Sequence, residues 1–455
     1  MEMVLEFLRD VLSQPALLIG IMSCIGLIAL KRPFHKIMTG TLKPILGYLM
    51  LAAGAGVIVS NLDPLGKMIE HGFHITGVVP NNEAIVAVAQ KVLGVETMSI
   101  LVVGLLMNLC IARFTKFKYV FLTGHHSLFM ACLMSAVLGT AGLSGMELIL
   151  VGGFLMGAWS AISPAIGQSY TSKVTDGDEI AIGHFGSLGY YLSAWVAKYV
   201  GKAEDSTEDI EIPEKWGFLR DSTLSTALTM IVFYLIAAFA AGSEFVATLS
   251  GDMSPYLYAV MSAMNFAVGV TIVYSGVRMI LGDLIPAFQG IATKIIPNAI
   301  PAVDCAVFFT YAPTAVVLGF LSSFIGGIIG MFILGAVGGV LIIPGLVPHF
   351  FCGATAGIYG NATGGRRGAA VGAFLNGLAI TFLPALALPV LGQLGFQNTT
   401  FGDADFAVMG LVLGNAYEWV GMAGIYGIVA IAALVLIIPN FIKTKSKVIN
   451  YVEED

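Results

Sequence analysis

The chain has 455 residues, 57% hydrophobic and only 11% charged, with a net charge of −6 and a mean hydropathy of +0.89. A globular domain carries about a quarter charged residues, so a water-soluble protein is excluded, and nothing points to a nucleic-acid partner. The apolar stretches recur along the whole sequence at close to the ~20 residues that cross a ~30 Å hydrocarbon core, whereas an outer-membrane barrel would show short alternating segments. The fold class expected is an all-α polytopic membrane protein in contact with membrane lipids.

In chain order, spans are predicted at about 15–31, 44–62, 96–113, 126–143, 145–165, 223–243, 255–281, 313–338, 339–358, 369–392 and 419–442, which makes about eleven transmembrane helices. The first is not read as a cleaved signal peptide, because Glu2, Glu6, Arg9 and Asp10 precede it and no small-residue cleavage site follows. Lys and Arg in short loops set the orientation. Lys31, Arg32, Lys36 and Lys43 follow the first span, and Arg113, Lys116 and Lys118 follow the third. Lys198, Lys202, Lys215 and Arg220 lie between the fifth and sixth, Arg366 and Arg367 precede the tenth, and Lys443, Lys445 and Lys447 close the chain. The 393–418 loop has neither Lys nor Arg. These place the N-terminus outside and the C-terminus in the cytoplasm, in agreement with an odd number of spans. The one long polar stretch, 198–222, reads as a solvated cytoplasmic connector, or as a docking surface for a soluble partner. The basic run GGRRGA at 364–369 reads as a loop at the inner face rather than a phosphate cradle.

A weak internal similarity divides the chain into half-repeats 1–222 and 223–455. Gly56-Val57, Leu62-Asp63-Pro64 and Val78-Val79-Pro80-Asn81 recur in order as Gly276-Val277, Leu284-Ile285-Pro286 and Ile295-Ile296-Pro297-Asn298. Since the first copy's span runs inside to outside and the second's outside to inside, the halves are inverted repeats. Each half has an apolar segment too broken to span, at 78–95 and 295–311. The first is interrupted by Asn81, Asn82 and Glu83, the second by Pro297, Pro301 and Asp304. Paired interruptions of this kind mark re-entrant segments and point to a substrate site.

Ionisable residues inside spans are functional candidates because each is costly unless paired or hydrated. Asp304, in IPAVDCAVFF, is the strongest as a ligand contact, with half-helix capping as its structural alternative. His184, in a Gly-rich stretch, is balanced between ligand contact and packed core histidine. His125 and His126 follow Thr123-Gly124, a helix start with its cap at Thr123, and neighbours on a helix point ~100° apart, so one of the two is expected to face a central site. Geometry leaves that choice near even. Glu147, Glu244 and Glu418 read as span ends, and Asp283 as part of an interfacial ion pair. The five cysteines, Cys24, Cys110, Cys132, Cys305 and Cys352, form no C-x-x-C pair, so no metal site, disulfide framework or phospho-acceptor is expected, and no cofactor. The residues alone leave open a proton- or ion-coupled secondary transporter that uses Asp304 and the histidines as proton sites.

The motifs LTGHH, KVTDG followed by IGH (Lys173 to His184), VDCA with YAPTAVV (Val303 to Val317) and LIIPGLVPHFF resemble, in that order and over essentially the whole chain, the ascorbate-specific IIC membrane component of the bacterial phosphoenolpyruvate-dependent sugar phosphotransferase system. The resemblance implies a homodimeric inner-membrane permease. A substrate-holding core domain and a V-shaped dimer domain, interleaved across both halves, would move as rigid bodies. The substrate would be L-ascorbate or a closely related sugar, sugar acid, pentitol or hexitol, phosphorylated at the inner side by a separate IIB protein that a IIA protein charges. The substrate contacts implied are His125, His184, Asp304, Thr355 and the glycines Gly54 and Gly56, with His125 rather than His126 taking the ligand. Asn82-Glu83 stand where the family has Thr-Tyr, Phe129 where it has Gln, and Phe185-Gly186 where it has polar residues, so Asn82 and Glu83 are pocket residues with altered chemistry.

Overall fold

The computed structural model describes residues 10–11, 14–74, 77–78, 80, 82–177, 179–210, 222–392 and 400–441. Long helices dominate: α1 Pro15–Ala29, α2 Phe34–Phe73, α3 Asn82–Phe114, α4 Gly124–Thr140, α5 Gly145–Thr175 and α6 Ser187–Val200. They continue as α7 Ser222–Ala241, α8 Ser243–Ser250, α9 Pro255–Lys294, α10 Pro313–Ala336, α11 Leu346–Gly392, α12 Ala404–Val420 and α13 Met422–Ile437. Among the described residues seven helices are long and apolar enough to cross a membrane, or eight if the bent pair Thr226–Ala241 and Ser243–Ser250 is one span. The molecule is a helical multi-pass membrane protein.

Several predicted boundaries differ. The apolar stretch at 96–113 is the second part of α3, a continuous 33-residue helix that begins at Asn82, so the polar interruption lies at its start and does not break it. The stretches at 339–358 and 369–392 lie largely on α11, 47 residues long and bent at Gly364 and Gly365. Gly365 has φ +59, and a Cβ there would sit 2.3 Å from the Lys202 carbonyl oxygen, so only glycine fits. GGRRGA is therefore a helix kink.

Part of the stretch predicted to be a solvated connector is docked on that kink. The Arg366 amide donates to the Asp205 carbonyl at 2.8 Å, and the Thr207 amide donates to Asn361 Oδ1 at 2.8 Å. The Glu208 carboxylate accepts from the amides of Thr314 and Ala315, both at 3.1 Å, and from the Thr314 hydroxyl at 2.9 Å. These are donors of the first turn of α10, which its preceding residue does not cap. Residues 211–221 lie outside the described residues.

Helices α2 and α9, each 40 residues long, pack backbone to backbone. A Cβ on Gly47 would lie 2.8 Å from the Gly276 carbonyl oxygen and one on Gly276 2.6 Å from that of Gly47. Gly54 and Gly269 stand in the same reciprocal relation, at 2.7 and 2.9 Å. Small residues permit this approach where hydrophobicity alone does not drive helix association.

Between the helices runs a small parallel sheet of β1 Tyr119–Phe121, β2 Ala181–Ile182 and β3 Ile300–Val303, in the order β1-β3-β2. Tyr119 pairs with Ile300, and Ala181 with Ala302. Every residue of the three strands is buried, so their main-chain groups need partners within the protein. They find them in one another and, at β1, in the Asn108 side chain, which donates to the Tyr119 carbonyl at 3.2 Å and accepts the Phe121 amide at 3.0 Å. The sheet extends at its ends through Leu122 N to Ala302 O at 2.9 Å and Gly183 N to Val303 O at 2.7 Å. In the other broken segment the described residues make a single bridge, Val78 to Ile342.

Candidate functional site

Asp304 follows β3 and caps the 3₁₀ turn Cys305–Thr310, accepting from the Ala306 amide at 3.0 Å through Oδ1. Its Oδ2 lies 3.5 Å from the Tyr48 hydroxyl of α2 and 3.5 Å from Nε2 of His125. The capping alternative and the contact with a neighbouring site residue thus hold together, one on each oxygen.

His125 and His126 open α4 after Thr123 and diverge as helix geometry requires. The His125 side chain is 38% exposed and points at Asp304. The buried His126 accepts the Phe185 amide on Nδ1 at 3.3 Å. Its ring lies 3.8 Å from that of His184 and is stacked on Phe406, with 5.6 Å between centroids. Phe129 and Phe185 belong to the same aromatic group: Phe129 lies edge-on to His125 at 5.8 Å, and Phe185 is stacked on Phe121 at 4.6 Å. Phe129 and Phe185, where the resemblance implied polar residues, therefore build one aromatic wall with His126 and Phe406.

His184 is delivered by Gly183, where a Cβ would meet the Ala302 carbonyl oxygen at 2.3 Å. The glycine of IGH is required because β3 backbone occupies the side-chain space. His184 Nδ1 accepts from the Gly186 amide at 3.2 Å and pairs with the Tyr190 hydroxyl at 2.8 Å. It also lies 3.9 Å from Oδ1 of Asp403.

Asp403 is the residue the sequence reading missed. It is buried, accepts Asn82 Nδ2 at 2.6 Å on Oδ2 and the Cys352 thiol at 2.8 Å on Oδ1. Asn82 also accepts the Gly402 amide at 2.9 Å through Oδ1. Two residues on, Asp405 accepts Ser187 Oγ at 2.8 Å, the Leu188 amide at 2.9 Å and Trp159 Nε1 at 3.2 Å. Cys305 and Cys352 were read as inert apolar-span thiols; both lie in this cluster. Thr355 is buried, and its hydroxyl donates to the Phe351 carbonyl at 2.8 Å.

The remaining candidates fall elsewhere. Gly54 is pressed against α9, and Gly56 faces open space with nothing within 4 Å of a built Cβ. Glu83 lies in the first turn of α3, and its side chain lies outside the described residues. Asp283 pairs with Lys43 at 3.4 Å, which is the interfacial ion pair expected, with Lys43 as partner.

The cluster thus gathers two carboxylates, three imidazoles, two thiols, two phenols and the Asn82 amide from α2, α3, α4, α6, α11, the 3₁₀ turn after β3 and the loops before α6 and α12. It offers hydrogen-bond donors and acceptors on several sides of a small polar ligand. The donor atoms of His126, His184 and Asp403 lie within 4.8 Å of one another, as do those of His184, Asp304 and Cys305, so either trio is close enough to hold a metal ion. In the structure most of these atoms already hydrogen-bond within the protein.

Known proteins give this arrangement a context. Residues 10–405 match the family model described as the sugar-specific permease component of the phosphotransferase system. The chain is also 28% identical to the "Ascorbate-specific PTS system EIIC component" of Mycoplasma pneumoniae, over 90% of this chain and 70% of that one. The matched range ends at Asp405 and so takes in every side chain of the cluster; this chain belongs to the family of phosphotransferase-system sugar-specific permease components.

Proposed function

We propose that the chain binds L-ascorbate, or a closely related sugar or sugar acid, and carries it across the bacterial inner membrane for phosphorylation by a separate IIB protein charged by IIA. The observation that carries this reading is the buried polar cluster at the ends of the two broken segments. His125 faces Asp304, and Asn82 holds Asp403 beside His184. A sugar's hydroxyls both donate and accept, and neutral imidazole does the same. Sites of this kind reject analogues that leave a buried partner unmatched.

The proposal includes a homodimer of about eleven spans, with an outside N-terminus and a cytoplasmic C-terminus. It also includes two inverted half-repeats, 1–222 and 223–455. Support for the repeat comes from register. Helices α2 and α9 have equal lengths and bounds displaced by 221 residues (34 to 255, 73 to 294). Gly47 and Gly54 correspond to Gly269 and Gly276, and Pro64 to Pro286, at 222. At 221, Pro80 and Glu83 correspond to Pro301 and Asp304. This is steadier than the 220, 222 and 217 residues that separate Gly56 from Gly276, Leu62 from Leu284 and Val78 from Ile295, and it makes the reciprocal glycine contacts equivalent under a two-fold axis.

The test is uptake of radiolabelled L-ascorbate into vesicles that contain the protein, with IIB and pre-phosphorylated IIA inside. Phosphorylated product that depends on both is expected. Accumulation of unmodified ascorbate driven by a proton gradient alone would favour the coupled-transporter reading instead.

A further inference from the structure

Resting on the function proposed above, we infer that Asp403 is a second substrate-binding acceptor, placed like Asp304 beside His184, and that it takes a neutral hydroxyl of the sugar rather than its anionic end. Three observations carry this.

The first is incomplete satisfaction. An ionised carboxylate has about four lone-pair sites. In Asp403 the Asn82 amide and the Cys352 thiol occupy two, and the residue is only 5% exposed. Among the described residues no Lys or Arg pairs with it. His184 is its nearest imidazole, yet Nδ1 of His184 accepts the Gly186 amide. Its proton is therefore assigned to Nε2, and the nitrogen that approaches Asp403 at 3.9 Å is an acceptor. A buried carboxylate with spare acceptor capacity and no cation calls for a further donor.

The second is contrast with Asp405, two residues away. Three donors, two from the start of α6 and one from α5, occupy that carboxylate. It ties α5, the start of α6 and α12 together and has about one site left where Asp403 has about two. The two acidic residues of FGDADF divide into one that joins protein to protein and one that remains available.

The third is position in the fold. Asp403 stands immediately before α12 and is bonded to Asn82 of the first broken segment, while His184 stands before α6 beside Asp304 of the second. Two loops therefore present a polar side chain to the same cluster, basic in one and acidic in the other.

The chemistry sets the orientation. Asp304 and Asp403 both repel an anion, so the enediolate of ascorbate is drawn to the N–H groups of the histidines. The hydroxyl-bearing side chain of the sugar is left for Asp403.

The experiment compares full-length wild type and Asp403→Asn in detergent, titrated with L-ascorbate, with its 5,6-O-isopropylidene derivative, and with xylitol as a neutral polyol. In wild type, blocking the two hydroxyls is expected to weaken binding at least about tenfold, the scale of a lost hydrogen bond to a charged acceptor. Asp403→Asn is expected to weaken ascorbate to the same degree and to bind the blocked derivative no worse than wild type does, so the two losses do not multiply. Unchanged ascorbate affinity in the variant, or losses that multiply as independent effects, overturns the proposal. If wild type binds xylitol and not ascorbate, the substrate reading fails, and the same comparison is made between xylitol and its 1-deoxy form. Should Asp403→Asn not fold, Asp403→Glu retains the charge and displaces it by one methylene. That variant must still lose discrimination between free and blocked hydroxyls, and full retention overturns the proposal.

Discussion

The two broken segments occupy corresponding places and are built differently. Around 295–311, β3 runs between β1 and β2 and bonds to both through main-chain groups, then ends in Asp304, which caps its own 3₁₀ turn. Around 78–95 there is, among the described residues, one bridge at Val78, and α3 begins at Asn82. That segment's polar contact is a side-chain fork, Asn82 to Asp403 and Gly402, with the carboxylate supplied from outside it. Backbone bonded on both edges fixes a residue irrespective of its neighbours' side chains, whereas a fork made by one amide depends on that amide. The second segment is the rigid pole of the site and the first the adjustable one.

The largest effect should come from the rigid pole. Asp304→Ala removes a cap, a Tyr48 contact and the His125 contact together. Uptake should fall about 100-fold or more, and stability by about 1–2 kcal/mol from the cap alone, as read by transport assay and thermal melting. A small effect would mean that the sheet does not position a functional carboxylate.

The histidines come next. His125→Gln should weaken substrate binding by about 1–3 kcal/mol and leave the fold intact. His126→Gln should act chiefly on the melting temperature, because His126 is packed between His184, Phe185 and Phe406. Equal effects on binding, measured by titration, would erase the distinction drawn between the two rings.

The adjustable pole should respond more mildly. Asn82→Ala is expected to weaken binding by about 1–2 kcal/mol, and Asn82→Thr should change the ranking of a sugar panel more than it changes overall affinity. If thermal-shift ranking stays the same while stability collapses, Asn82 is structural and the comparison fails.

Smallest is Glu208→Gln, away from both segments. It weakens the cap of α10 and should cost about 0.5–1 kcal/mol in stability at unchanged substrate affinity.

The helices and Asp304 were legible in the sequence because apolar length and an isolated carboxylate are strong signals that need no partner to be recognised. The kink in α11 was not, since paired glycines beside two arginines look like a loop until the Lys202 and Asp205 carbonyls are seen to fill the side-chain space. The strands, two to four residues long, carry no periodicity. Asp403 stayed hidden for a different reason: it sits in a stretch without Lys or Arg that reads as an outer loop, and its importance depends on Asn82, 321 positions away. The glycine before it, matching that before His184, was the available clue.

The buried sheet has a consequence for how such a protein changes over generations. Its strands hold Asp304 and His184 in place largely through amides and carbonyls. Side chains outside that bonding, such as Asn82 and Phe129, can be exchanged while the frame goes on aiming the others. A lineage can thereby shift toward a different sugar by a few local replacements.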